Sequence, residues 1–146
     1  MLKVLIAEDD LMIADLIEAS LLDHGYQVSG IARTVAEGVA FGRADRPDLA
    51  IIDMRLADEG LGSEIVAQLQ DGPRIGVLYA SGNINHVIRS ADGDACIAKP
   101  YHISDLLRAL RIVEQIVSNG TVPPPFPRGF YLLNATKLSI EAPSHV

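Results

Sequence analysis

The chain has a single cysteine, Cys96, so no internal disulfide is open to it, and that residue stands among apolar neighbours as suits a reducing compartment. No apolar run approaches the roughly 18 residues that a membrane span needs. The opening "MLKVLIAEDD" meets acids too early to serve as a secretory signal. Positive charge is scarce: 12 Lys and Arg face 19 Asp and Glu, a formal net charge of −7. Nothing in that balance draws the chain to phosphate backbones or anionic lipid. Disorder is excluded by composition, 49% hydrophobic against 21% charged. The expectations are a folded cytoplasmic protein with no direct nucleic acid partner and no membrane. At 146 residues it is most simply one domain, able to bury roughly two thirds of its unfolded surface without a metal or disulfide staple.

What the chain does have is alternation. Short apolar runs at 3–7 ("KVLIA"), 26–32 ("YQVSGIA"), 49–53 ("LAIID"), 74–80 ("RIGVLYA") and 95–98 ("ACIA") predict strands. Between them lie segments of helical period. Residues 11–24 place Met12, Ile13, Leu16, Ile17, Ala19, Leu21 and Leu22 on one predicted stripe, with Gly25 closing the helix. Thr34 is a predicted N-cap for a helix to about Ala44, with Glu37 in the capping-box position. Shorter helices are predicted near 63–69 and 84–91, and a long one over 103–118 with Ile103, Leu106, Leu107, Leu110, Val113 and Val117 on one face. Strict strand and helix alternation, with strands apolar on consecutive residues, predicts an α/β fold: a parallel sheet covered by helices on both faces.

In such a fold the functional loops lie at the carboxyl ends of the strands. Glu8 and Asp9 follow the first strand, Asp53 ends the third, Ser81 follows the fourth, and Lys99 follows the fifth, just before Pro100. Each alone has an ordinary explanation: an acid after a strand caps a helix, a lone lysine is a solvated charge, and serine before glycine is a turn. Their joint placement at four strand ends does not. Carboxylates converging there would repel by about 4 kcal/mol per pair at an effective dielectric near 20. A divalent cation removes that penalty. All-oxygen ligation, with no His or Cys in reach, points to Mg²⁺, which bridges protein carboxylates to phosphate oxygens.

These residues carry a resemblance. "VLIAEDD", "PDLAIIDM", "VLYASGN" and "CIAKPY" are similar, in order and spacing, to the motifs of the receiver domain of two-component response regulators, over about residues 2–118. The resemblance implies a flavodoxin-like doubly wound sheet of five parallel strands in the order 2-1-3-4-5. By position it implies that Glu8, Asp9 and Asp53 hold Mg²⁺, together with the backbone oxygen of Arg55. Asp53 would accept a phosphoryl group from a histidine kinase or histidine phosphotransfer protein, and Lys99 and Ser81 would grip its oxygens. That chemistry is coherent in itself: a carboxylate can accept a phosphoryl group, and the transfer needs mainly alignment and charge neutralisation. Asp10 falls outside the metal set and is expected to start the helix. Catalysis would be confined to Mg²⁺-dependent self-phosphorylation and autodephosphorylation.

The pattern also has departures. Cys96 stands where receivers carry an aromatic three residues before the lysine, and Ala57 where a proline is common. Ser81 to Lys99 spans 18 positions, short by about one helical turn, so the fourth helix is expected to be truncated. The expected division is a receiver domain over 1–118 and a Pro-rich tail over 119–146, with no output domain. "PPPFP" favours an extended conformation, and "FYLL" and "KLSIE" offer edge strands that can dock on the same chain or make a homodimer, through the tail or the output face. An unknown output protein completes the expected partners. The competing functions are a phosphate-independent receiver-like binding module, disfavoured because Glu8, Asp9, Asp53 and Lys99 are all present, an aspartyl-phosphate phosphatase and a nucleotide-binding domain. The phosphatase would want an acid where Arg55 stands, and the nucleotide binder a Gly-rich loop where "AEDDLM" has none.

Overall fold

Strands that are apolar on consecutive residues need cover on both faces, and the computed structural model, which describes residues 2–90, 92–120 and 123–133, supplies it. The described residues form β1 (Lys3–Ala7), α1 (Leu11–Asp23), β2 (Gln27–Ala32), α2 (Val35–Ala44), β3 (Leu49–Asp53), α3 (Gly62–Gln68), β4 (Gly76–Ser81), α4 (Ile84–Ser90), β5 (Ala95–Ala98), α5 (Ile103–Asn119) and β6 (Phe130–Leu132). Alternate residues divide between two cores. Val4 and Ile6 of β1, Leu49 and Ile51 of β3, and Leu78 and Ala80 of β4 pack with α1 and α5. Leu5, Ala50, Ile52, Val77 and Tyr79 pack on the other side with Val39 of α2, Ile65 of α3 and Val87 of α4.

The sheet order is β2-β1-β3-β4-β5-β6, with the first five strands parallel. It is the doubly wound α/β arrangement, with one correction. The sheet has six strands among the described residues, because "FYLL" supplies β6, antiparallel to β5 in the register Ala95↔Leu132, Cys96↔Tyr131 and Ile97↔Phe130. The edge strand expected of "FYLL" thus forms, and it docks on the same chain, covering what would otherwise be the bare edge of β5. The "KLSIE" stretch lies outside the described residues. Helix α4 is short, at seven residues. Among the described residues no helix is long and apolar enough to cross a membrane.

The helix starts have visible causes. Asp10 caps α1, its carboxylate accepting from the amides of Met12 and Ile13. Thr34 caps α2 by accepting from Glu37, whose own carboxylate reaches one residue further back, to the Arg33 amide, at 2.7 Å. The stripe predicted for α1 requires correction. Ala14, Ile17 and Leu21 are the buried residues, whereas Leu11, Met12, Leu16 and Leu22 are exposed, Met12 at 83%. A helix lying on a sheet buries a stripe little wider than 100°, and α1 carries more apolar residues than that stripe holds. Its surplus faces solvent.

Close approach governs the loop after β3. Gly62, the first residue of α3, donates its amide to the Met54 carbonyl at 2.7 Å. A Cβ there would meet the Asp53 carbonyl oxygen at 2.3 Å and Ile52 Cγ2 at 2.4 Å. Backbone cannot move aside as a flexible side chain can. Gly62→Ala is therefore expected to lower the unfolding free energy by about 1–3 kcal/mol, measured by urea denaturation with an unchanged m-value.

Candidate functional site

Parallel strands of similar length in register bring their carboxyl ends to one edge. Ala7 pairs with Ile52, Asp53 with Ala80, and Ser81 with Ala98, so Glu8, Asp53, Ser81 and Lys99 leave the sheet side by side. Backbone bonds fix these ends: Glu8 N–H to Ala32 O at 2.9 Å, Met54 N–H to Ala80 O at 3.0 Å, and Lys99 N–H to Ser81 O at 2.9 Å.

The structure brings three of the sequence-identified acids together. One carboxylate oxygen from each of Glu8, Asp9 and Asp53 lies within 4.8 Å of the others. Glu8 and Asp53 are buried and Asp9 is half-buried. Lys99 reaches into this group, its Nζ 2.8 Å from Asp53 Oδ2 and 3.6 Å from Glu8 Oε1. It is thus an engaged cation rather than the solvated charge that a lone lysine suggests. Ser81 is buried at the end of β4, its Oγ accepting from the Asn83 amide at 2.9 Å. Arg55 is exposed, and its backbone amide donates to Asp53 Oδ1 at 3.3 Å.

Electrostatics follow from this crowding. Burial pushes the Glu8 carboxyl up to about 7, reinforced by the Asp53 carboxyl beside it, while the Asp10 amide and Lys99 pull it back only partly. For Lys99, burial alone would lower the ammonium, but its bonds to Asp53 and Glu8 outweigh this and hold it above its ordinary value. Tyr101 is the residue that the sequence reasoning passed over. It follows Lys99-Pro100 directly, is half-buried, and is raised to about 12 by burial and by the negative charge of Glu8 and Asp53. Its place in "KPY" was the available signal, but its role as a wall of the site depends on burial that no spacing reveals.

The donor set fits a hard divalent cation. It is all oxygen, one carboxylate oxygen from each of three residues within 4.8 Å of the others, in a site whose engaged ammonium leaves Glu8 displaced toward protonation. An unfolded Glu8 ionises near 4.5, whereas in the fold ionisation is deferred to about 7. With no cation bound, the group therefore carries no penalty below the unfolded value, destabilises progressively as pH rises between the two, and carries its full penalty above the higher one. In the presence of a chelator, Glu8→Gln should be more stable than wild type at pH about 8 by more than about 1 kcal/mol, and that margin should shrink toward zero at pH about 5. Denaturant unfolding at the two pH values measures it, and a margin independent of pH would contradict the assignment.

Comparison with known proteins identifies the family and the fold. Residues 4–111 match the family model of the response regulator receiver domain. The acid tolerance regulatory protein ActR of Rhizobium meliloti is 33% identical over 113 residues, covering 74% of this chain and 57% of ActR. The KDP operon transcriptional regulatory protein KdpE of Escherichia coli is 30% identical over 129 residues, covering 86% of this chain and 56% of KdpE. The chain thus spans a little over half the length of these curated relatives. Among solved structures, a mutant of the anti-anti-sigma factor PhyR from Bartonella quintana superimposes with a TM-score of 0.71 at 28% identity, over 82% of this chain and 50% of that one. The receiver domain of PhyR from Erythrobacter litoralis shares the fold, with a TM-score of 0.68 at 20% identity, over 85% of this chain and 95% of that one. Four strand-end motifs, the sheet order and a family match across most of the chain converge, and this protein belongs to the response regulator receiver domain family of two-component signalling.

Proposed function

We propose that the chain is a phosphoacceptor switch. An Asp53 carboxylate oxygen attacks the phosphorus of a phosphohistidine on a histidine kinase or histidine phosphotransfer protein. The P–N bond breaks, its electron pair returns to the imidazole, and the product is an aspartyl phosphate. Glu8, Asp9 and Asp53, with the backbone oxygen of Arg55, would hold Mg²⁺, which when bound neutralises charge on the phosphoryl oxygens. Lys99 would exchange its bond to Asp53 for one to a phosphoryl oxygen, and Ser81 would donate its hydroxyl to another. The chain acts on no separate substrate: the chemistry is confined to formation and hydrolysis of its own aspartyl phosphate. The phosphorylated form would bind an output protein in the cytoplasm with altered affinity, without touching nucleic acid itself.

The observation that carries this reading is the 2.8 Å bond between Lys99 Nζ and Asp53 Oδ2 inside the three-carboxylate cluster. A buried acceptor, a cation poised on it and an oxygen-only metal set supply what phosphoryl transfer to a carboxylate requires. The test is incubation with acetyl phosphate and Mg²⁺ followed by intact mass. Wild type should gain one phosphoryl group, and a chelator should abolish the gain. Asp53→Asn should gain none while keeping the circular dichroism of the wild type. Labelling of folded Asp53→Asn would refute the acceptor assignment, and an unlabelled wild type would favour the phosphate-independent binding module instead.

A further inference from the structure

Helices α3 and α4 are short for the face they cover. Each follows a parallel strand, starts at the carboxyl edge of the sheet and runs back toward the amino edge. With seven residues apiece they reach about 10 Å. The five residues of β3 and six of β4 extend over about 16–20 Å, so the amino ends of these strands lie beyond both helices. A cavity of about 580 Å³ results. It reaches down to Ala50 and Val77, which pair in register as the second residues of their strands, and Leu69, just after α3, stands at its side. Its lining also carries charge of both signs, in the half-exposed Arg74 and the exposed Asp92.

The chain is delivered to this cavity by β6. Being antiparallel to β5, that strand runs from the functional site back to the amino edge, where Leu132 pairs with Ala95. Leu133 then donates its amide to the Asp94 carbonyl at 3.1 Å, and its side chain, 2% exposed, joins the same core as Leu69 and Val77. Asp94 is itself a lining residue of the cavity and is firmly held. Its carboxylate accepts from Arg74 Nη2 at 2.6 Å and from the Val77 amide at 2.8 Å. The last described residue is thus fixed at the cavity mouth. In the sequence that follows, "NATKLSIE", the apolar residues alternate: Leu138 and Ile140 share one side of an extended segment, with Lys137, Ser139 and Glu141 on the other. The five residues from Leu133 to Leu138 can reach about 17 Å, more than the roughly 10 Å width of a helix laid on the same face.

We propose that residues 136–141, "TKLSIE", dock in this cavity in the same molecule, with Leu138 and Ile140 against Leu69 and Val77, and with Lys137 and Glu141 at the rim beside Asp92 and Arg74. The pairing is complementary on both counts. Two apolar side chains meet walls that neither helix covers, and each rim charge meets one of opposite sign. Anchorage at Leu133 supplies the remaining advantage, because a short tether holds a segment of modest affinity at high local concentration. A small apolar molecule or the tail of a second copy would find the same walls without that tether. Nothing in this docking depends on the state of Asp53.

Methyl NMR on the full chain reads the contact directly. Uniformly ¹³C-labelled wild type should show nuclear Overhauser effects from the Leu138 or Ile140 methyl groups to those of Leu69 and Val77. These should be absent from a filtered spectrum of mixed labelled and unlabelled protein, which selects contacts between copies. Leu138→Asp combined with Ile140→Asp should move the Leu69 and Val77 methyl resonances and lower the urea midpoint, whereas Ser139→Asp, on the opposite side of the segment, should do neither. The measurement on wild type needs no variant to fold. Absence of those Overhauser effects, or Leu69 and Val77 resonances that ignore the double variant, overturns the docking and leaves the cavity to a small molecule. Overhauser effects seen only between copies overturn it in favour of a tail exchanged with a second molecule.

Discussion

The constraint on which the structure depends is the mutual repulsion of three carboxylates held at the edge of a sheet. Glu8, Asp9 and Asp53 bring oxygens within 4.8 Å of one another, and two of the three side chains are buried. At such separations and an effective dielectric near 20, each ionised pair costs about 3–4 kcal/mol. Two things relieve that cost without a metal. Lys99 bridges Asp53 and Glu8, and Glu8 moves toward protonation, with its carboxyl at about 7. Both are partial measures. A site that spends folding energy on keeping charges together favours a ligand of opposite sign, and its oxygen-only donor set fits a hard divalent ion.

Everything else in the fold serves to keep those carboxylates where they are. Parallel pairing sets the strand ends level, the two cores clamp the sheet from both faces, and Gly62 lets α3 approach the Asp53 carbonyl closely enough to bond the Met54 carbonyl behind it. Asp10, the third acid of the opening run, has a different task. It caps α1 and accepts from Met12 and Ile13, which spares it from the cluster and starts the helix beside it. The three adjacent acids thus divide between electrostatics and helix initiation.

Much of this was legible in the sequence for a physical reason. Strands covered on both faces must be apolar throughout, so "LAIID" and "ACIA" mark β3 and β5 residue for residue, and the site residues could be placed from the strand ends. What was not legible depended on tertiary competition. The apolar surplus of α1 could not be sorted into buried and exposed residues until Ala14, Ile17 and Leu21 had taken the face toward the sheet. "FYLL" was legible as an edge strand, but the choice of β5 of the same chain as its partner depends on the open edge there. Tyr101 is informative only in company: it is a half-buried wall because of what Glu8 and Asp53 do around it.

The central claim is that the carboxylate cluster holds unrelieved negative charge which a divalent cation neutralises, and stability against Mg²⁺ concentration at pH about 8 tests it most directly. The account predicts that the unfolding free energy of the wild type climbs with the logarithm of Mg²⁺ concentration once binding saturates, and that Asp9→Asn flattens the climb. Wild-type stability that stays level through millimolar Mg²⁺, or an Asp9→Asn protein that responds as the wild type does, would contradict it.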